Sequence, residues 1–181
     1  MKKYSMMPVV VTAIVTVIMG LIYVTVQQTY RTSANDPQVQ MARDMSTKLL
    51  QSKSVDAYFT DTVDVAQSLA PFYVLYDASG KPIRSTGYLD GQMYSVPMGV
   101  FETVKKSGEQ QVTCQPRKSI RMAMVIERTN TGPVAYVAAG RSLKMAEERI
   151  SILTTTVFIA WLICSAIILL CYAIRFFKYR N

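Results

Sequence analysis

The sequence predicts an α+β fold, an antiparallel sheet domain led by a long N-terminal helix and flanked by two transmembrane helices. Three observations carry that prediction. Two long apolar runs without a single charge lie on either side of a middle segment. That segment has the composition of a folded domain, with turn residues at regular spacing and no low-complexity tract. Within it, Ser119 to Arg128 alternates strictly, with Ile120, Met122, Met124 and Ile126 on one side and Arg121, Ala123, Val125 and Glu127 on the other, the period of a strand.

The first apolar run, Pro8 to Val26, would make about 28 Å of helix at 1.5 Å per residue, roughly one hydrocarbon core. It exceeds the ~7–15 residue apolar region of a signal peptide, and the small residues Thr32-Ser33-Ala34 lie well beyond it, so an uncleaved anchor is expected. Thr12, Thr16 and Gly20 form a small-residue stripe suited to helix contact. After a polar exit, Asp36-Pro37 has the form of a helix N-cap with proline in the first turn. The helix is predicted to run to Ser52, with Met41, Met45 and Leu49 as its apolar stripe. A second helical or irregular piece covers Val55 to Leu69.

Pro71 introduces a strand, Phe72 to Asp77, and Asp77-Ala78-Ser79-Gly80-Lys81 is a hairpin turn leading to a return strand, Pro82 to Tyr88. A linking stretch containing Gly87, Gly91, Pro97 and Gly99 leads into a short helix, Gly99 to Ser107, ended by Gly108. Three more strands follow, Gln110 to Gln115, Ser119 to Arg128 and Val134 to Gly140, the last two joined by a tight turn over Thr129 to Pro133. Ser142 is placed to cap a helix that continues without Pro or Gly into the second apolar run, Ile152 to Ile174. A heptad frame sets Leu143, Ile150, Val157, Cys164 and Cys171 at a, and Ala146, Leu153, Ala160, Ile167 and Ile174 at d.

Charge placement predicts the topology. Lys2 and Lys3 precede the first run, and Arg175, Lys178 and Arg180 follow the second, with no acid in either flank. All twelve acids lie between the runs, with fifteen of the twenty basic residues. The positive-inside rule then puts both termini in the cytoplasm of a two-pass cell (inner) membrane protein and the middle segment outside. The expected division is residues 1–7 cytoplasmic, 8–26 and 150–174 transmembrane, 27–149 extracytoplasmic and 175–181 a cytoplasmic tail. Much of the net charge of +8 is thereby topogenic, and nucleic acid drops out as a partner.

Chemistry is sparse. The chain has no histidine, which excludes a phospho-accepting His, His-containing triads and most zinc sites. The pairs Asp61 with Asp64 and Glu147 with Glu148 lack His or Cys company and read as solvated surface groups. No nucleotide-binding, hydrolase or metalloprotease motif occurs. The chain is therefore expected not to be an enzyme, with no catalytic residue, metal or cofactor. Cys114 either pairs between two chains or is a buried strand residue; Cys164 and Cys171, seven apart, share one helix face as packing residues.

Three segments, FYVLYDASGKPIRSTGYLDG (Phe72 to Gly91), PMGVFETVKKSGEQQVTCQP (Pro97 to Pro116) and AYVAAGRSLKMAEERI (Ala135 to Ile150), set between two membrane helices, carry a resemblance. Their order resembles the extracytoplasmic PAS-like or Cache-type sensor domains of bacterial histidine kinases and chemoreceptors. The resemblance covers residues 35–150 at the level of architecture. It implies a sheet opened by a hairpin, a last strand running into a signalling helix, and a ligand held between the sheet and the short helices covering it. Tyr76, Arg84, Tyr88, Arg121 and Tyr136 are the candidate lining residues, aromatic walls with cationic handles for a carboxylate or phosphate. With only Arg175 to Asn181 after the second run, output is expected to pass to a separate signalling protein. The bilayer and a second copy of the chain are the other expected partners. The alternative is a structural or assembly subunit that uses the same domain for dimerisation.

Overall fold

A computed structural model describes residues 6–33, 36–51 and 53–180, without the side chains of residues 179 and 180. The chain is α+β, with antiparallel sheet pairing in its middle and a long helix toward each end. It divides into two compact units, one made of residues 1–31 and 147–181, the other of residues 32–146.

The first unit pairs helix α1 (Met7–Ser33) with most of helix α4 (Lys144–Arg180). Both are long and apolar enough to cross a membrane by length and composition. The Trp161 indole N–H donates to Thr16 Oγ1 at 2.8 Å, and Thr16 in turn donates to the Thr12 carbonyl at 2.8 Å. One end of the pair is tied by Thr154 Oγ1 donating to the Tyr23 hydroxyl at 3.3 Å. The partly covered residues of α1 are Pro8, Thr12, Val15, Met19, Tyr23, Val26, Gln27 and Tyr30, while a Cβ added at Gly20 would meet nothing within 4 Å. Of the small-residue stripe, Thr12 is partly covered and Thr16 accepts the Trp161 N–H, whereas Gly20 takes no part in the contact. Each i+4 step turns about 40° around the helix, so a stripe of strict fours leaves a straight partner within two steps. On α4 the predicted frame coincides with the covered face from Ala146 through Ile150, Leu153, Val157 and Ala160 to Cys164, then moves to Ile168 and Tyr172, leaving Ile167, Cys171 and Ile174 exposed. A 3.6-residue helix drifts about 20° per heptad, which accounts for that shift. The segment from Gln27 to Ser33, read as a polar exit, is helical.

The second unit is built on a five-stranded antiparallel sheet of β2 (Phe72–Tyr76), β3 (Pro82–Ser85), β6 (Glu109–Arg117), β7 (Ile120–Thr131) and β8 (Val134–Ser142), in the order β3-β2-β8-β7-β6. Helix α2 (Asp36–Leu50) packs on β7 and β8 over one face; the expected Met41, Met45 and Leu49 lie on it, together with Val39 and Ala42. The predicted end of this helix, Ser52, lies outside the described residues. Helix α3 (Met98–Ser107) covers the other face and stops at Gly108, whose φ of 83° needs glycine and whose N–H donates to the Val104 carbonyl at 2.8 Å.

The return strand expected from Pro82 to Tyr88 is two strands. At Ser85 and Thr86 hydroxyls take over the ladder: Tyr73 N–H donates to Thr86 Oγ1 (2.8 Å), and Gly87 N–H to Ser85 Oγ (2.9 Å). The chain bends there into a small sheet, where β4 (Gly87–Leu89) lies between β1 (Val63–Asp64) and β5 (Gln92–Met93). Between Asp56 and Phe59 the chain makes one 3-10 turn.

Candidate functional site

The face of the sheet under α3 holds the aromatic side chains. Alternation along β2 sends Phe72, Val74 and Tyr76 to this side, and β8 adds Tyr136 directly opposite Tyr76. Phe101 from α3 lies 5.0 Å from the Tyr76 ring and 4.9 Å from that of Tyr136. The Tyr76 hydroxyl donates to the Tyr94 carbonyl at 3.2 Å, and burial pushes both phenols well above the ordinary tyrosine range. Cys114, on β6, is buried here beside Tyr94, and its thiol is raised by burial as well. The Phe72 ring is held between two glycines: a Cβ on Gly87 or Gly140 would lie 2.4 Å from it. These rings are covered by one another and by α3, so the face is filled by the protein's own side chains.

Of the five sequence-derived candidates, the structure therefore brings together Tyr76 and Tyr136. Arg84 is on the opposite face of β3, where its guanidinium bonds Asp56 at 2.6 Å and lies 4.6 Å from the Phe59 ring. That pairing, with help from Ser54, holds the Asp56 carboxyl below the usual range. Tyr88 is in the small sheet, opposite Asp64 and Met93. Arg121 is exposed near the end of the large sheet where β8 leaves it.

A second polar group of residues lies under α2. Glu109 and Glu127 face each other across β6 and β7, Arg43 from α2 bridges to Glu109 at 3.0 Å, and Ser46 bonds Glu127. Partial burial, and then the Glu109 charge, raise the Glu127 carboxyl. Gln38, buried in the first turns of α2, has neither amide atom bonded to any described residue. The signal for Glu127 was present in the sequence, as the one acid on the second face of an alternating strand. Gln38 gave none, since a glutamine beside Val39 and Gln40 reads as helix surface. Asp90-Gly91, with φ of 53° and 76°, makes the two-residue turn between β4 and β5, a hairpin signal the linking-stretch reading passed over.

Among the described residues, no three Cys, Asp or Glu side chains gather as a metal-ligand set. No protein-family model matches the chain, and no curated protein matches it.

Proposed function

We propose that the chain is a membrane-anchored extracytoplasmic sensor or small-ligand-binding module of PAS-like or Cache-like type, which transmits through its transmembrane helices to a partner. The observation that carries this reading is the exit from the sheet. Strand β8 ends at Ser142, whose hydroxyl accepts the Lys144 N–H at 3.3 Å, and α4 then runs unbroken to Arg180. A helix of 37 residues, about 55 Å long, can carry a piston or rotation from a sheet across a bilayer without an intervening joint. The hairpin that opens the sheet and the long helix that precedes it agree with the same resemblance. Lysines and arginines outside the two apolar runs orient both termini to the cytoplasm in this reading.

Photocrosslinking from Phe177 in cells tests it: adducts with a second membrane or signalling protein are the expected result. Self-adducts alone would reject transmission to a partner and favour the assembly-subunit reading. That second reading draws on one observation, the filling of the α3 face by Phe72, Tyr76, Phe101 and Tyr136. The full chain in micelles, screened by thermal shift against small carboxylates and phosphates, separates the two, because a ligand at 100 times its Kd adds about 2.7 kcal/mol to stability.

A further inference from the structure

Two hydrogen bonds join the apolar helices, and they share one register. Tyr23 and Thr16 are seven residues apart on α1, and their partners Thr154 and Trp161 are seven apart on α4. The two bonds, at 3.3 and 2.8 Å, therefore fall about 10 Å apart along an antiparallel pair. Thr16 is the centre of the set: its hydroxyl hydrogen goes to the Thr12 carbonyl, which leaves its lone pairs to accept the Trp161 N–H. Continued by one more turn, the same register sets Ser165 opposite Thr12. Ser165 Oγ is buried and bonded to no described residue, whereas the Thr155 and Thr156 hydroxyls donate to carbonyls one turn back in their own helix. Ser165 is thus the third polar group of a single seam.

We infer that this seam is a register lock that makes α1 and α4 one moving body: whatever displacement α4 transmits, α1 shares, and α4 does not slide along it. The inference rests on the reading of both helices as transmembrane. Lipid tails are as apolar as the side chains, so apolar faces sliding in a bilayer change little in what they touch, and the polar rungs carry the axial register. A slide of one turn, about 5.4 Å, breaks a rung in either direction. One way Trp161 meets Gly20, which has no side chain to accept its N–H; the other way Thr154 meets Met19 and parts from Tyr23. An indole N–H left unpaired in hydrocarbon has no water to turn to, so each rung should favour the observed register about three- to tenfold. The piston or rotation open to α4 is thereby one of the whole pair.

The test uses the full chain in phosphatidylcholine nanodiscs, carrying Cys164→Ala and Cys171→Ala, with Cys114 left in place because it is buried. Cysteine pairs on the partly covered faces are oxidised with copper phenanthroline. Met19→Cys with Val157→Cys lies in the observed register, while Val15→Cys with Val157→Cys and Met19→Cys with Ala160→Cys lie about one turn away to either side. The first pair should crosslink at least about tenfold faster than the other two, and adding Thr16→Val and Thr154→Val should bring all three within about threefold. Comparable rates with the rungs intact would overturn the lock, as would unchanged selectivity without them, which would assign the register to packing. The single tryptophan gives an independent reading in the chain with its own cysteines. Thr16→Val should move Trp161 emission to shorter wavelength and Thr16→Ser should not; equal emission from all three chains would overturn the rung at Thr16. A chain that does not co-elute with the discs would instead overturn the membrane reading.

Discussion

Both faces of the five-stranded sheet are covered by a helix, yet they are covered with different chemistry. Under α3 the contacts are rings and methionines fitted around glycines, with Tyr76 and Tyr94 as the polar exceptions. Under α2, Ala42 against Val125 and Ala139, and Met45 with Leu75 and Val137, share the interface with the polar Gln38, Ser46, Glu109 and Glu127. Shape complementarity holds the first face in one arrangement. The second buries polar atoms whose partners are incomplete among the described residues, and such an interface has less to lose when its helix shifts. Hydrogen exchange of β7 and β8 amides in the full chain, in micelles, reports on both faces.

The largest effect should come from Phe72→Ala. The ring is fully buried, wedged between Gly87 and Gly140, and contacts Tyr94 at 6.2 Å between centroids. Its removal should lower the opening free energy of the sheet amides by about 3–5 kcal/mol. A loss below about 1 kcal/mol would mean that the α3 face is not held by shape.

Gly140→Ala sharpens the same point from the other direction. Its new Cβ would sit 2.4 Å from Phe72 Cζ, and the ring cannot retreat because Gly87 approaches it equally closely from another side. The expected cost is about 1–3 kcal/mol. Combining it with Phe72→Leu should cost less than the sum of the two single changes, since the shortened side chain leaves room for the methyl. Strict additivity would show that the clash is relieved by backbone movement instead.

These two faces were not equally legible in the sequence. The alternation of Ile120 to Glu127 identified both sides of β7, and Asp77 to Lys81 fixed the opening hairpin, where Asp77 Oδ1 accepts the Ser79 and Lys81 N–H groups at 2.8 and 2.9 Å. Periodicity and turn chemistry are local, so a single sequence displays them. The split of the return strand depends on Ser85 and Thr86 reaching Gly87 and Tyr73, a tertiary choice between side-chain and ladder bonds. The candidate site shows the same limit. Tyr76 and Tyr136 share a face because register sets them opposite each other, whereas Arg84, one residue off in the pleat, goes to the other side.

On the α2 face the expected effects are smaller and of opposite sign. Gln38→Leu exchanges a buried amide without a described partner for an apolar group of similar volume. It should leave the sheet as stable or raise its opening free energy by about 1 kcal/mol. A loss of more than about 1 kcal/mol would show that the amide is bonded after all, and that this face is as closely specified as the other.

The smallest effect, and the most diagnostic, concerns pH. The folded Glu127 carboxyl is raised above its ordinary value, first by desolvation and then by Glu109, with Ser46 and Arg43 only partly offsetting them. Between the unfolded value and the raised one, the folded state keeps a proton that the unfolded state has lost. Stability from this group therefore falls as pH rises through that window and is level above it. Asp77 has the reverse sign: Ser79 and Lys81 depress its carboxyl, so its contribution is complete above the ordinary aspartate range and disappears as pH falls through the lowered value. Glu127→Gln should remove the loss on the alkaline side and raise neutral-pH stability by no more than about 1 kcal/mol, the group being partly solvated. The acid-side loss due to Asp77 should be untouched. If Glu127→Gln instead destabilises the sheet at neutral pH, then Glu127 is held as an ion by Arg43, and the α2 face is an electrostatic clamp rather than a loosely paired surface.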